Sequence, residues 1–255
     1  MQKYLLFIGF VGTGLLAGLL AAQYPAYHVI LGLLALLVFF AAFIRPEYGL
    51  YILIFSMLLS PEISIGPTHG SSLGRGVTIR IEDFLLILIG FSWFARNAVD
   101  KELGLFFKTP LNRPILFYGL ACIVSTAIGI LGGRVEPATG MFFVLKYIEY
   151  FIVFFMVVNY VRDMNQIKRL VFCLLLTCFI VSVIGILQIP GADRVSAPFE
   201  GQSGEPNTFG GYLVFLFAIA GGLFARIDNR PARELLLVLM AAIFLPFLFT
   251  ESRAS

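Results

Sequence analysis

The segment Val171-Phe-Cys-Leu-Leu-Leu-Thr-Cys-Phe-Ile-Val-Ser-Val-Ile-Gly-Ile-Leu187 carries no charged residue. A helix needs ~20 mainly apolar residues to cross the hydrocarbon core of a bilayer, so this run predicts the centre of a membrane-spanning helix over 167–188. The rest of the chain has the same character, because 59% of its 255 residues are hydrophobic and only 13% are charged. Soluble domains carry about 25% charged residues. The sequence therefore predicts an all-α integral membrane protein.

Similar apolar runs recur along the chain and predict about nine membrane helices in a single transmembrane domain over 1–255. The runs are continuous, whereas the strands of a membrane β-barrel would alternate apolar and polar residues. The third expected helix is short and bounded by Pro46 and Pro61, so we expect it to be either kinked or extended through 63–65. The expected helices cover 4–22, 27–44, 47–60, 81–96, 114–131, 138–161, 167–188, 207–225 and 234–250.

The loops between these helices are unequally basic. Lys and Arg accumulate in the cytoplasmic loops of membrane proteins. When the loops are assigned to alternate sides, 12 basic residues fall on one side and 5 on the other, and with Lys146 inside a helix this accounts for all 18. The N-terminus is therefore predicted to be cytoplasmic and the loop before residue 207 extracytoplasmic. The net charge of +3 follows from this topology, and we predict no nucleic-acid partner.

The loop from Arg194 to Tyr212 is the polar, glycine-rich stretch Arg-Val-Ser-Ala-Pro-Phe-Glu-Gly-Gln-Ser-Gly-Glu-Pro-Asn-Thr-Phe-Gly-Gly-Tyr between two apolar runs. The next helix is expected to begin near Asn207. This start would place free N–H groups and a positive dipole end at the extracytoplasmic surface, where they favour an anion. Arginine adds a planar fork of donors that suits phosphate oxygens. The loop therefore predicts a site for phosphate or pyrophosphate.

Four basic residues are expected near that surface, and ionisable groups beside membrane spans are candidates for function. They are Arg80, Lys146, Arg194 and Arg253. Structural interpretations stay open beside the functional one. Arg80 would anchor a helix end at the lipid headgroups, Lys146 would pair with Glu149 three residues later on one helix face, and Asn207 would act as an N-cap.

Two stretches in the second half of the chain resemble the O-antigen ligase and polymerase superfamily. The first runs from Arg194 through Pro198-Phe-Glu-Gly201 to Glu205-Pro-Asn-Thr-Phe-Gly-Gly-Tyr-Leu213. The second follows one helical hairpin later and reads Thr250-Glu-Ser-Arg-Ala-Ser255. Weaker similarities are Arg80-Ile-Glu-Asp-Phe-Leu-Leu86 and Lys146-Tyr-Ile-Glu-Tyr150.

The resemblance implies a polytopic glycosyltransferase of the bacterial inner membrane that acts on the periplasmic face. It implies transfer of a glycan from a polyprenyl-pyrophosphate carrier to an acceptor sugar on lipid A–core, on a growing polymer or on a protein. Arg194 and Arg253 would contact the donor pyrophosphate, with Arg80, Lys146 and Asn207 as further candidates. We expect no cofactor and no metal.

The sequence assigns no catalytic base, and Glu205 and Glu251 are the plausibly placed carboxylates. Members of the superfamily continue past the second motif into a large periplasmic loop and further helices, so the chain resembles an N-terminal portion. Two other classes of function remain. Interfacial arginines and a Lys146–Glu149 pair are also compatible with an anion transporter or permease, and a non-catalytic membrane scaffold is the third.

Overall fold

The structure, a computed structural model, describes residue 12 and residues 26–65, 77–99, 109–191, 194–199 and 206–251. These residues form eight α-helices and one two-stranded β-hairpin. The helices are α1 (Ala26–Ile44), α2 (Pro46–Leu59), α3 (Ile81–Val99), α4 (Asn112–Leu131), α5 (Pro137–Tyr160), α6 (Met164–Gln188), α7 (Pro206–Arg226) and α8 (Arg230–Phe249). The strands are β1 (Glu62–Ile65) and β2 (Val77–Arg80).

The eight helices correspond to eight of the nine expected ones, with ends that differ by a few residues. The remaining expected helix, over 4–22, lies outside the described residues apart from residue 12. Five helices, α4 to α8, are each long and apolar enough to cross a membrane. They confirm the prediction of a helical, multi-pass membrane protein.

The segment after α2 is a β-strand, so the expected extension of this helix through 63–65 is wrong. Pro61 has no N–H to donate and disfavours the helical conformation of the residue before it. The chain then forms β1, which pairs antiparallel with β2 and places Glu62 opposite Arg80. Both strands are rich in β-branched residues, which favour a pleated surface. The hairpin leads directly into α3, which begins at Ile81.

Buried apolar side chains form two clusters that divide the helices between them. One cluster joins α6, α7 and α8, and the other joins α1, α2, α3 and α5. α2 connects the two, because Leu58 belongs to the first cluster and Leu50 to the second. α4 packs against α5 and buries none of its own residues.

Successive helices alternate in direction, so their ends gather at two ends of the bundle. We call the end that carries the β-hairpin the hairpin end. It also holds the starts of α3, α5 and α7 and the end of α8. Contacts between distant residues support this arrangement. The Val195 N–H donates to the Phe249 carbonyl at the hairpin end (2.9 Å), and Arg96 Nη1 donates to the Phe43 carbonyl at the opposite end (2.8 Å).

The two ends differ in their basic residues. Among the described residues, the hairpin end carries Arg80, Arg134 and Arg194, while Lys146 lies inside α5. The opposite end carries Arg45, Arg96, Arg113, Arg162, Lys168, Arg169, Arg226, Arg230 and Arg233. The opposite end is therefore the more basic one.

Candidate functional site

The Arg194 side chain connects three parts of the chain at the hairpin end. Its Nε donates a hydrogen bond to the Thr250 carbonyl (2.9 Å), and its Nη2 donates to the Glu251 carbonyl (3.1 Å) and to Asn207 Oδ1 (3.3 Å). Thr250 and Glu251 directly follow α8, and Asn207 lies in the first turn of α7. We call these four residues the Arg194 site. One guanidinium thus joins the loop after α6 to both neighbouring helices.

The backbone that follows Arg194 is also held in place by hydrogen bonds. α6 ends at Gln188, whose Oε1 accepts a hydrogen bond from the Ser196 N–H (3.3 Å). Val195 is fully buried in the cluster of α6, α7 and α8, and its N–H donates to the Phe249 carbonyl. Because its neighbours are anchored on both α6 and α8, Arg194 is held at the end of α8.

A close approach of α6 and α8 lies beneath the Arg194 site. A Cβ atom at Gly185 would lie 3.0 Å from Pro246 Cβ and 3.3 Å from Val195 Cγ1. Glycine therefore allows α8 to reach the position from which the carbonyls that follow it meet Arg194. Sequence reasoning missed Gly185. Small residues at helix contacts in membranes were the available signal, but the chain has 25 glycines and this one does not stand out.

Part of the Arg194 guanidinium stays available to a ligand. Nη1 makes no hydrogen bond to any residue that the structure describes, and the side chain is exposed. Its three acceptors, two carbonyls and one amide, are neutral, so they orient the guanidinium and leave its net charge in place. The first turn of α7 adds backbone N–H groups and a positive dipole end. This geometry suits an anion with several oxygen atoms.

A second group of charged residues lies where α3 meets α5, also towards the hairpin end. Lys146 Nζ contacts Asp83 Oδ1 and lies 3.5 Å from Glu149 Oε2. The Arg80 N–H donates to Asp83 Oδ2 (2.9 Å), and Arg80 Nη1 lies 3.9 Å from Glu82 Oε1. We call these five residues the Lys146 cluster. Asp83 holds the cluster together, since it contacts both the end of β2 and the middle of α5.

Both basic side chains of the Lys146 cluster lie close to carboxylates of the same cluster. Its two basic side chains meet three carboxylates, which gives a formal charge of −1. The Asp83 side chain is only 9% exposed and that of Lys146 is 24% exposed. Buried Oε2 of Glu82 accepts no hydrogen bond from the described residues. The charge of Lys146 is therefore already paired with carboxylates, in contrast to that of Arg194.

The predicted site residues fall into three groups. Arg194, Asn207 and Glu251 meet in the Arg194 site, with Glu251 contributing its backbone carbonyl. Arg80 and Lys146 belong to the Lys146 cluster, where the expected Lys146–Glu149 pair is present. Arg253 and Glu205 lie outside the described residues. Sequence reasoning missed the pairing of Asp83 with Lys146, because the two are 63 positions apart.

The interpretation of Asn207 as an N-cap is wrong. α7 begins at Pro206, which makes Asn207 the second helical residue. An N-cap residue stands before the first helical one and accepts from the N–H groups of the first turn. The Asn207 side-chain oxygen instead accepts from Arg194. Proline at the first position fits the helix start, because its missing N–H would have no partner there.

Some charged residues at the opposite end connect helices to one another. Arg96 donates to the Phe43 carbonyl and so joins α3 to the end of α1. The Gln166 amide donates to Glu47 Oε1, and Arg169 Nη2 lies 3.4 Å from Glu47 Oε2. These contacts join α6 to α2. Since Arg96, Gln166 and Arg169 each contact another helix in this way, we interpret these contacts as structural and assign no ligand to them.

The fold and these two groups of residues define a polytopic helical membrane protein with an exposed arginine at one end of its bundle. Comparisons of the chain with protein-family models, with curated proteins and with solved structures find no match. Within the described part of the chain, no group of three or more His, Cys, Asp and Glu side chains is placed to hold a metal ion. The Arg194 site is therefore the basis for a functional proposal.

Proposed function

We propose that this chain is an O-antigen ligase- or polymerase-like glycosyltransferase of a bacterial inner membrane. Its donor would be a glycan on a polyprenyl-pyrophosphate carrier, and its acceptor a sugar on lipid A–core, on a growing polymer or on a protein. The observation that carries the proposal is the contact between Arg194 and the carbonyls of Thr250 and Glu251. This contact joins the two stretches on which the resemblance rests, 56 positions apart in sequence.

The proposal places the Arg194 site on the extracytoplasmic face and the N-terminus in the cytoplasm. The support is the distribution of basic residues, since the described part of the opposite end carries nine and the hairpin end carries three. Cytoplasmic loops are enriched in Lys and Arg. A carrier lipid in the outer leaflet would then present its pyrophosphate at the level of the Arg194 site.

In the proposed reaction, an acceptor hydroxyl attacks the anomeric carbon of the donor. The new glycosidic bond forms as the bond between this carbon and the pyrophosphate oxygen breaks, and the hydroxyl proton passes to a base. Negative charge grows on the departing pyrophosphate. Nη1 of Arg194, which donates to none of the described residues, and the start of α7 would stabilise that charge. Fixed electrostatic contributions of this kind are usually the largest in lowering a barrier.

The base in this reaction is not assigned by contacts. Glu251 lies at the Arg194 site and has an uncommon left-handed backbone, with φ 48°, which turns the chain where its carbonyl meets Arg194. Its carboxylate is the described candidate for the base, while Glu205 and Arg253 keep their proposed roles outside the described residues. Replacement of either glutamate by glutamine would then slow transfer without weakening donor binding.

The test is glycan transfer by the full chain in lipid vesicles. An undecaprenyl-pyrophosphate-linked oligosaccharide and lipid A–core are supplied, and release of undecaprenyl pyrophosphate is measured. We expect Arg194→Ala to lower the rate by about 10²- to 10³-fold, the usual cost of removing one donor to a developing anion. Arg194→Lys should recover only part of the rate, because an ammonium lacks the planar fork.

The matched control is Arg134→Ala, which removes an exposed arginine from the turn between α4 and α5 at the same end. Its rate should equal that of the unchanged protein. Full activity of Arg194→Ala, or an equal loss in Arg134→Ala, would contradict the proposed role of the Arg194 site.

An anion transporter is the second candidate, because the exposed Arg194 would attract an anion at the hairpin end and partly buried ionisable groups lie inside the helical bundle. Ionisable groups within membrane proteins often mark ion pathways. The same vesicles separate the two functions. A transporter would move labelled inorganic phosphate or pyrophosphate across the vesicle membrane and would form no glycosidic bond.

A further inference from the structure

Three arginines surround the turn between α7 and α8, at the end of the bundle opposite the β-hairpin. Arg226 ends α7, Arg230 begins α8 and Arg233 follows one turn later. All three side chains are exposed. The Arg233 guanidinium lies over the Phe224 ring, 4.6 Å from its centroid. This contact holds Arg233 against the C-terminal part of α7. Arg233 therefore stays close to the connection between α7 and α8.

These arginines have no acidic partner in the described part of the chain. The ion pairs found there involve Arg80, Lys146 and Arg169. Two acids, Asp228 and Glu234, lie in the same stretch, so its net charge is positive by one unit, and neither acid forms an ion pair with a residue that the structure describes. Elsewhere at this end Arg169 meets Glu47, whereas at the α7–α8 turn no described carboxylate occupies the guanidinium groups, which suits them to bind an anion.

The two arginines of α8 begin an exposed stripe along that helix. Leu237, Phe244 and Leu248 continue it at intervals of three, four or seven residues, and each is about half exposed. The other face of α8 is buried against α6 and α7 through Leu236, Leu239 and Ile243. The stripe therefore has a cationic end and an apolar length, both accessible from outside the bundle.

We propose that the α7–α8 turn and this stripe bind an anionic phospholipid. The phosphate would lie among Arg226, Arg230 and Arg233, and the acyl chains would lie along the apolar part of the stripe. Guanidinium groups match phosphate oxygens in charge and geometry, and basic residues beside a membrane helix attract anionic lipids. The site is separate from the Arg194 site, which lies at the other end of the bundle, and it does not depend on glycan transfer.

The test is native mass spectrometry of the full chain in detergent, titrated with phosphatidylglycerol and, separately, with phosphatidylcholine. We expect tighter binding of phosphatidylglycerol. Replacing all three arginines by glutamine should weaken it by about a hundredfold, at about fivefold for each basic residue. The single variant Arg230→Gln should show about a fivefold loss, which keeps the test decisive if the triple variant folds poorly.

The control triple variant is Arg45→Gln, Arg113→Gln and Lys168→Gln, which removes the same charge from exposed positions at the same end. It should retain the affinity for phosphatidylglycerol. Equal losses in the two triple variants would show unspecific attraction and overturn the proposal. Unchanged affinity in the first triple variant would do the same. Binding of inorganic phosphate as tight as that of phosphatidylglycerol would also overturn the proposal, because the turn would then be an anion site that does not need a lipid.

Discussion

The Arg194 site and the Lys146 cluster lie at the same end of the bundle and each contains a cation near a helix end, yet they surround it differently. Arg194 donates to two carbonyls and an amide oxygen. Lys146 contacts the carboxylates of Asp83 and Glu149. A neutral dipole orients a cation and leaves its net charge unchanged. A nearby carboxylate instead offsets the charge of the cation, and this interaction is stronger away from water.

This difference shows that a position near the membrane surface does not identify a ligand-binding cation. Both residues match the same sequence criteria, and both were predicted to bind the donor pyrophosphate. Of the two, Arg194 is the one whose contacts with the described residues leave a donor unused and its charge uncompensated. The roles predicted for Arg80 and Lys146 stay predictions, and their contacts favour a structural role in joining β2, α3 and α5.

The largest effect on stability is expected for Asp83→Asn. The change leaves Lys146 with a weaker partner and should lower the free energy of unfolding by about 2 kcal/mol, less than for a fully buried pair because Lys146 is 24% exposed. Thermal unfolding in detergent measures the change. Asp228→Asn, at an exposed acid without an ion pair among the described residues, should leave the stability unaltered.

A double variant sharpens this result. If the pair is mainly structural, Asp83→Asn combined with Lys146→Met should cost less than the sum of the two single changes, because no unpaired charge remains. Additive losses would show that Asp83 and Lys146 act independently, and the contrast between the two groups of residues would then be lost.

A smaller effect is expected for Asn207→Ala at the Arg194 site. The change removes one of the three hydrogen bonds that orient the guanidinium, a contribution of about 1 kcal/mol. Binding of inorganic pyrophosphate, measured by calorimetry, should weaken by about fivefold. Asn229→Ala is the matched control, because Asn229 makes no side-chain hydrogen bond as the N-cap of α8. Unchanged binding in Asn207→Ala would show that Arg194 is oriented without it.

Most of the helical fold follows from local sequence. Each described helix corresponds to a continuous apolar run, and proline stands at or beside the starts of α2, α5, α7 and α8. The β-hairpin was missed because β1 has four residues, too few for a clear alternation of apolar and polar positions. Pro61, which stands between the helix end at Leu59 and the strand start at Glu62, was the available signal.

The candidate site was predictable only in part. Arg194 and Asn207 stand out because they lie in a polar loop between apolar runs. The contact of Arg194 with the residues that follow α8 depends on how closely α6 and α8 pack at Gly185, which no local pattern specifies. The partner of Lys146 was equally hidden. Glu149 lies three positions away on the same helix, whereas Asp83 comes from another helix 63 positions earlier.

The central claim is that Arg194, and not Lys146, binds the pyrophosphate of the carrier. Its most direct test is the affinity of undecaprenyl pyrophosphate for the full chain in detergent, for Arg194→Ala and for the charge-neutral double variant Asp83→Asn/Lys146→Met. We predict a loss of at least about tenfold in Arg194→Ala, since a hydrogen bond to a charged group contributes about 1.5–3 kcal/mol, and unchanged affinity in the double variant. Unchanged affinity in Arg194→Ala together with a loss in the double variant would contradict it.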